Sequence, residues 1–292
     1  MKSLNPKKTL ALLISSCLAF ASPAFSQTVL VLDNERRFQD EELSVDGVKV
    51  LVNYDPVDFD SGNAFGDNNL EYRLFYEGVA KLKDEAFTLY TGSVSLQDLN
   101  NDDTAEVIVK TYSGGAHCCT NFQIYSWQGE QFTRTETGPR DGGGGAFKDL
   151  DQDGVFEFIT YDNSFLYAFS SYASSFPPTS ILQFKNGEFI DVTRQYPQLL
   201  EDTAWEMYQA FLNNSYEVNG ILAGYVAQKI LLREFEEGWN FMLANYDRSS
   251  DWGLDIYEGN EVVGQYPDFP TALKAFLIET GYLDLNGQLI EK

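Results

Sequence analysis

Histidine and cysteine are scarce in this chain, and their scarcity removes several classes of enzyme. Histidine occurs once in 292 residues, as His117, and cysteine occurs three times. The chain has no Gly-x-Ser-x-Gly segment and no His-Glu-x-x-His segment, which are the patterns of common serine hydrolases and zinc proteases. A glycan-active enzyme based on carboxylates stays open, because that chemistry needs only a pair of suitably spaced acids.

Basic residues are also few, since 20 Lys and Arg stand against 44 Asp and Glu. The formal net charge is −24, and it becomes −27 without the first 26 residues, which hold three lysines and no acid. A surface of this charge repels nucleic acid and anionic lipid, so neither is expected as a partner. Bound divalent cations would relieve the repulsion. The partner is unknown, and a protein and a glycan both fit the composition.

Long apolar runs are absent beyond the amino terminus, where one extends from Leu10 to Phe20 behind three lysines. With the small residues of Ala24-Phe25-Ser26 after it, this run predicts a signal peptide over residues 1–26 and export to the periplasm or the extracellular space. Ile14-Ser15-Ser16-Cys17 loosely fits a lipoprotein signal, but the apolar run continues past Cys17, which favours ordinary cleavage. No later segment has the roughly 20 apolar residues that a transmembrane helix requires.

Two acid-rich loops carry the clearest chemical signal, because oxygen-bearing side chains occupy positions 1, 3, 5 and 9 in each. Alternating oxygens in a tight loop can converge on one point, and calcium takes about six to eight oxygen ligands. The predicted ligands are Asp98, Asn100, Asp102 and Glu106 in the first loop and Asp149, Asp151, Asp153 and Glu157 in the second. The alternative is a pair of acidic β-turns without an ion, because Asp and Asn favour turns through local hydrogen bonds.

The residues around both loops favour strands. An EF-hand loop would need a carboxylate at position 12 and flanking helices, but position 12 is Val109 in one loop and Thr160 in the other. Each loop runs from a short alternating segment into a β-rich one. The two loops are offset by 51 residues, and this offset superimposes all four predicted ligands, which indicates an internal repeat.

This frame resembles the FG-GAP (VCBS) repeat of integrin-type β-propellers, whose Asp-x-Asp-x-Asp-Gly-x-x-Asp loop joins two strands of a blade and holds calcium. The resemblance covers roughly residues 91–195 and implies two propeller-blade-like repeats, with the backbone carbonyls of Thr104 and Val155 as further calcium ligands. Glutamate replaces aspartate at position 9, and the Phe-Gly and Gly-Ala-Pro signatures are absent. Position 6 turns sharply and suits glycine. The second loop has Gly154 there and the first has Asp103, so the second loop is predicted to bind calcium more tightly.

The predicted fold is α+β, mainly antiparallel β with the two repeats, followed by a helical carboxyl-terminal region. Residues 27–90 are expected to form an amino-terminal β region, and residues 196–292 the helical region, where apolar residues recur at helical spacing. The predicted strands of the first region are Val29–Leu32, Val48–Val52, Leu70–Tyr76 and Ala86–Tyr90. Helical spacing is found in Leu199–Leu212, Ile221–Leu232, Phe235–Ala244 and Thr271–Ile278, and we expect three or four helices there.

The segment Gly114-Gly115-Ala116-His117-Cys118-Cys119 holds the single histidine and both cysteines that follow the predicted signal peptide. Three interpretations compete: a vicinal disulfide that stiffens a turn, a copper or zinc site of two thiolates and the imidazole, or unpaired thiols or an intermolecular bridge. Three successive residues cannot readily complete a tetrahedral zinc cage alone. The segment is similar to an element of uncharacterised exported bacterial repeat proteins, which implies no activity.

From the sequence we therefore expect an exported calcium-binding β-repeat protein that acts as a binding or structural module, and the sequence favours a non-enzyme over an enzyme. A redox or soft-metal protein that uses His117, Cys118 and Cys119 is the first alternative. A carboxylate-based glycan-active enzyme is the second.

Overall fold

The computed structural model describes residues 28–58, 67–214 and 216–290, and it consists of antiparallel sheets followed by a helical region. This confirms the predicted α+β class. The predicted signal peptide, with Cys17, lies outside the described residues. Three antiparallel sheets, of four, six and four strands, make up most of the β-structure, and they are called the N-terminal, central and third sheets below.

The N-terminal sheet has the order β2-β3-β4-β5. Its strands are β2 (Phe38–Val45), β3 (Val48–Tyr54), β4 (Leu70–Tyr76) and β5 (Val79–Ala86). Every second residue of β3, from Val48 to Tyr54, is buried, because successive side chains of a strand point to opposite faces. The strands predicted from this alternation in β3 and β4 are confirmed.

The predicted strand Ala86–Tyr90 is wrong, because β5 ends at Ala86. The side chain of Asn69 takes both backbone groups of Thr88: its Oδ1 accepts from Thr88 N at 2.9 Å, and its Nδ2 donates to Thr88 O at 2.9 Å. These bonds replace the strand pairing that Thr88 would otherwise need. The chain then turns, and Thr88 and Leu89 are both buried.

The central sheet has the order β1-β6-β7-β8, and both β9 and β10 pair with β8. Its strands are β1 (Thr28–Leu32), β6 (Gly92–Gln97), β7 (Glu106–Tyr112), β8 (Cys118–Trp127), β9 (Phe132–Glu136) and β10 (Arg140–Asp141). Strand β1 confirms the predicted Val29–Leu32. The third sheet has the order β11-β12-β13-β14, formed by β11 (Ala146–Lys148), β12 (Glu157–Tyr161), β13 (Thr179–Lys185) and β14 (Glu188–Asp191).

The central sheet lies between the other two, and the first four residues of its strand β7 are buried whichever face they point to. Val107 and Val109 of β7 pack in the hydrophobic cluster shared with the N-terminal sheet. Ile108, between them, packs in a second cluster with Phe158 and Phe184 of the third sheet. The alternation of β7 thus joins three layers, although the described residues form no closed propeller ring.

The helical region contains the four predicted helices: α1 (Pro197–Asn213), α2 (Val218–Leu231), α3 (Phe235–Asn245) and α4 (Phe269–Glu279). A hairpin that was not predicted, β15 (Asp255–Glu258) and β16 (Glu261–Gln265), precedes α4. Gln228 of α2 is fully buried and ties the helices to the third sheet, because its Oε1 accepts from Thr179 N at 3.0 Å and its Nε2 donates to Leu200 O at 3.0 Å. None of the helices in the described part of the chain is long and apolar enough to cross a bilayer.

Candidate metal centre

The two acid-rich loops connect equivalent hairpins. The first loop joins β6 to β7, with Gln97 opposite Glu106, and the second joins β11 to β12, with Lys148 opposite Glu157. The position-9 glutamate therefore opens the second strand of each hairpin at the same register. The predicted strand-loop-strand frame is confirmed for both copies.

Three hydrogen bonds recur at equivalent atoms in the two loops, each from a backbone N–H to a side-chain carboxylate. The first aspartate accepts from position 6: Asp98 from Asp103 N at 3.0 Å, and Asp149 from Gly154 N at 3.1 Å. The position-5 aspartate accepts from position 7 at 2.9 Å in the first loop and 2.8 Å in the second. The position-9 glutamate accepts from position 2 at 2.8 Å and 3.1 Å. The acids thus shape the loops before any ion is considered.

The same two positions of each loop adopt positive φ. At position 6, φ is 65° for Asp103 and 89° for Gly154, which confirms the predicted sharp turn in both copies. At position 4, φ is 58° for Asn101 and 65° for Gln152, which the sequence did not indicate. Asp and Asn tolerate this left-handed region better than most residues other than glycine, so the first loop keeps the turn without Gly.

The loops also contact each other across the two sheets. Phe156 N donates to Leu99 O at 2.8 Å, and Asn101 Nδ2 donates to Asp153 O at 3.3 Å. Leu99 is fully buried in the cluster between the sheets, and Phe156 packs against it. The conformation of one loop is therefore coupled to that of the other.

In the first loop, a side-chain amide of the loop itself donates hydrogen bonds to the carboxylates. Asn100 Nδ2 donates to Asp102 Oδ2 at 3.0 Å and reaches Glu106 Oε1 at 3.5 Å, so an amide group lies between the two carboxylates. Glu106 is buried and also accepts from Ser126 Oγ at 3.1 Å. Burial, together with the nearby charges of Asp102 and Asp98, raises the pKa of Glu106 to about 8. A cation would have to displace the amide and release this proton.

The second loop differs because its position 3 is Asp151, which cannot donate as an amide does. The carboxylates of Asp149, Asp151 and Asp153 bring ligand atoms within 4.8 Å of one another, and within the described ranges theirs is the one such group of acidic, histidine or cysteine side chains. Asp149 is half-buried and the other two are exposed. Three like charges at this separation repel, and a hard cation that takes oxygen ligands would remove the repulsion.

The fourth predicted side-chain ligand of the second loop, Glu157, has hydrogen-bond partners of its own. Glu157 is fully buried, accepts from Leu150 N, and is reached by Gln183 Nε2 at 3.5 Å. Burial, and then the hydrogen bond to Glu157, raises the pKa of Tyr196, the residue that precedes α1. Glu157 therefore links the second loop to the helical region. The roles of the Thr104 and Val155 carbonyls stay predictions.

Replacing Gly154 with alanine is expected to destabilise the protein more than the same change at Gly129. Both glycines have positive φ, at 89° and 85°, but a Cβ at Gly154 would lie 3.0 Å from the Asn101 side chain, whereas none of the atoms around Gly129 comes within 4 Å. The shared φ penalty is about 1–2 kcal/mol, and losing the Asn101 bond should add about 1 kcal/mol for Gly154→Ala. Urea denaturation of both variants measures the difference. Equal losses of stability would show that the Asn101 contact between the loops contributes nothing.

A disulfide joins Cys118 to Cys119, so the vicinal interpretation is the one that the structure contains, and the peptide bond between them is cis. The exposed His117 ring stacks on Tyr172 at 4.0 Å between ring centroids and lies 6.3 Å from Tyr167. Tyr172 donates to Asp141 Oδ1 at 3.1 Å, and burial and this bond raise its pKa to about 12. Copper or zinc would need thiolates, so binding there would first require reduction.

The sequence gives no sign of these aromatic neighbours of His117. Tyr172 follows His117 by 55 positions in a segment without a regular pattern, and only the fold brings the two rings together.

Comparisons with known proteins find two similar proteins, and the printed name of one of them gives a location. Residues 200–281 match the family model of the sll0997 C-terminal domain, which coincides with the helical region. The chain is 36% identical over 226 residues to the "Probable thylakoid lumen protein sll0997" of Synechocystis sp. (strain ATCC 27184 / PCC 6803 / Kazusa), covering 70% of this chain and 65% of that protein. It is 34% identical over 199 residues to the "Uncharacterized protein y4bJ" of Sinorhizobium fredii (strain NBRC 101917 / NGR234), covering 64% of this chain and 31% of that protein.

The chain thus spans less than two thirds of the length of either relative. No solved structure matches it.

Proposed function

We propose that this protein is an exported calcium-binding protein in which the second acid-rich loop holds the ion and the stacked sheets act as a binding or structural module. The observation that carries the proposal is the convergence of Asp149, Asp151 and Asp153 within 4.8 Å. Calcium fits this donor set better than a softer metal, because all the side-chain ligands are carboxylates.

The chemistry that calcium supplies here is charge neutralisation and cross-linking. Asp149 and Asp153 already accept backbone N–H groups of their own loop, so each presents a fixed carboxylate. Asp151 adds a third carboxylate and Glu157 lies at the base of the loop. With the ion bound, the second loop would be more rigid, and so would its contacts with Asn101 and Leu99.

The first loop is proposed as a weaker site. Its Asn100 amide occupies the space between two carboxylates, and its Glu106 holds a proton at neutral pH because its pKa is about 8. Both features lower the negative charge available to a cation. The equivalence of the two hairpins supports the further proposal that they are blade-like repeats of the FG-GAP (VCBS) kind.

Export is supported by the predicted signal peptide and by the printed name of the Synechocystis relative, which places that protein in the thylakoid lumen. The partner of the proposed module is an unidentified protein or glycan. Millimolar calcium is typical outside the cytosol, and extracellular calcium modules bind with dissociation constants of about 10⁻⁴–10⁻³ M.

Calcium is expected to raise the melting temperature of the mature protein, because a ligand that binds only the folded state stabilises it. At a concentration of 100 times its dissociation constant, a ligand contributes about 2.7 kcal/mol, which corresponds to about 2–4 °C for each kcal/mol in a chain of this size. The measurement is a thermal melt in chelator, in calcium and in magnesium. Magnesium should act less, because it requires stricter octahedral geometry. An unchanged melt at saturating calcium would reject the proposal.

A further inference from the structure

The Cys118–Cys119 disulfide cannot be explained by ordinary stabilisation. A disulfide stabilises a protein mainly by closing a loop in the unfolded chain, and the effect grows with loop length, from about 3 kcal/mol for 15 residues. Adjacent residues enclose no loop beyond their own ring, so this bond removes little entropy from the unfolded chain. The disulfide between these two adjacent cysteines therefore stabilises the fold less than a disulfide between distant residues would.

The backbone around the pair is held by hydrogen bonds that do not involve sulfur. Cys119 N donates to Ser113 Oγ at 2.7 Å, and Ser113 N donates to Cys119 O at 2.9 Å. On the other side, Gly142 N donates to His117 O at 2.6 Å, and Cys118 pairs with Asp141 of β10. The strand can therefore keep its place whether the two sulfurs are bonded to each other or not.

The pair is also within reach of another protein. Both cysteines are half-buried, and the preceding residues Gly115, Ala116 and His117 are exposed. The exposed Tyr167 lies near His117 and accepts a hydrogen bond from Trp252 Nε1 at its backbone oxygen, at 2.9 Å. The disulfide therefore lies at the edge of a surface formed by aromatic side chains. Aromatic residues are enriched at protein interfaces.

We propose that Cys118–Cys119 is a redox-active disulfide that accepts two electrons from a dithiol protein. A thiolate of the partner attacks one sulfur of the pair, the Cys118–Cys119 bond breaks, and a mixed disulfide forms. The second thiol of the partner then attacks the mixed disulfide, forms the partner's own disulfide and releases the chain. Cys118 and Cys119 end as two thiols that carry the two protons, and the partner is oxidised by two electrons. This function is independent of calcium binding.

The first test is the kinetics of reduction in the folded mature protein. Dithiothreitol is added under native conditions, and samples are alkylated and analysed by mass spectrometry. We expect the reduction rate to rise in proportion to dithiothreitol and to exceed the rate of global unfolding. A rate that is independent of dithiothreitol and equal to the unfolding rate would show that the bond is protected by the fold, and would overturn the proposal.

The second test uses reduced thioredoxin, a dithiol protein, mixed with an equal amount of the oxidised chain. We expect more than about a tenth of the chain to be reduced at equilibrium, because labile disulfides exchange with dithiol proteins whereas structural ones resist. A smaller fraction would overturn the proposal. The control is the double variant Cys118→Ser with Cys119→Ser, which should leave thioredoxin unoxidised and should melt within a few degrees of the wild type. A double variant that does not fold would show that the bond is structural.

Discussion

Asp151→Asn is expected to weaken calcium binding by about tenfold to a hundredfold, which is about 1.4–2.8 kcal/mol of binding free energy. The substitution makes position 3 of the second loop identical to that of the first, where Asn100 donates to Asp102 and reaches Glu106. No hydrogen bond within the described residues ends on the Asp151 carboxylate, so the change removes charge and leaves the loop backbone as it was. Calorimetric titration with calcium measures the loss. The double variant with Asp153→Asn should bind more weakly still.

Two matched variants control for charge and for the first loop. Glu188→Gln removes one exposed carboxylate from strand β14 of the same sheet and should leave the affinity unchanged within a factor of about two, because exposed charges are screened by salt. Asn100→Asp restores a carboxylate to the first loop and should strengthen that loop's binding without weakening the second loop. If Asp151→Asn and Glu188→Gln have equal effects, then the calcium response reflects overall charge and not a site.

Phe158→Ala is expected to cost about 3–5 kcal/mol of folding free energy, the range for a large aromatic residue removed from a packed core. Phe158 is fully buried between the central and third sheets, with its ring centroid 5.1 Å from that of Phe122, 4.9 Å from Phe147 and 5.8 Å from Phe189. The cavity left by alanine would separate the two layers that the acid-rich loops bridge. Denaturation by urea, with the melting temperature as a second measure, gives the size of the loss.

Phe158→Leu keeps most of the apolar volume and should cost clearly less than the alanine variant. Val262→Ala, at a strand position that is 53% exposed, should change stability by no more than about 0.5 kcal/mol. A loss below about 1 kcal/mol for Phe158→Ala would mean that the sheets do not depend on this cluster. The calcium affinity of the alanine variant, measured below its melting temperature, would then show whether the loop needs the stacked sheets.

The strands that the sequence predicts correctly are those with one clear hydrophobic face. Strands β3 and β4 alternate between buried and half-buried residues, so their pattern of period two is visible without the fold. Strand β2 reads as a charged segment, because four successive residues from Gln39 to Glu42 are exposed. Strand β5 carries mostly exposed residues, so the sequence pattern favours the apolar Ala86–Tyr90 in its place. A tertiary contact, the Asn69 side chain at Thr88, decides where that strand ends.

The helices were predictable because apolar residues recur along them at helical spacing. In α4, Asp268 is the N-cap and accepts from Thr271 N at 2.9 Å, and Pro270 lies in the first turn. The hairpin β15–β16 was missed because its exposed valines and tyrosine lie on strands with no buried face. A strand pair with neither face buried has no alternation of apolar and polar residues from which its strands could be predicted.

In the candidate metal centre too, the features set by neighbouring residues were predictable and the contacts between distant residues were not. The spacing of the acids gives the register of both hairpins and the turn at position 6, since both are local properties of nine residues. The contact of Asn101 with the backbone of Asp153 joins residues 52 positions apart and needs the stacking of two sheets. The difference between the loops at position 3 was visible in the sequence, but its consequence depends on where the Asn100 amide points.

The most direct measurement is the calcium content of the purified mature protein, determined by elemental analysis after dialysis against calcium at about ten times the dissociation constant and correction for free ion. If the second loop closes around calcium, the wild-type protein should carry at least one ion per chain, and the variant with Asp151→Asn and Asp153→Asn should lose one. A wild-type protein free of calcium, or a double variant that carries as much calcium as the wild type, would contradict the assignment of the site.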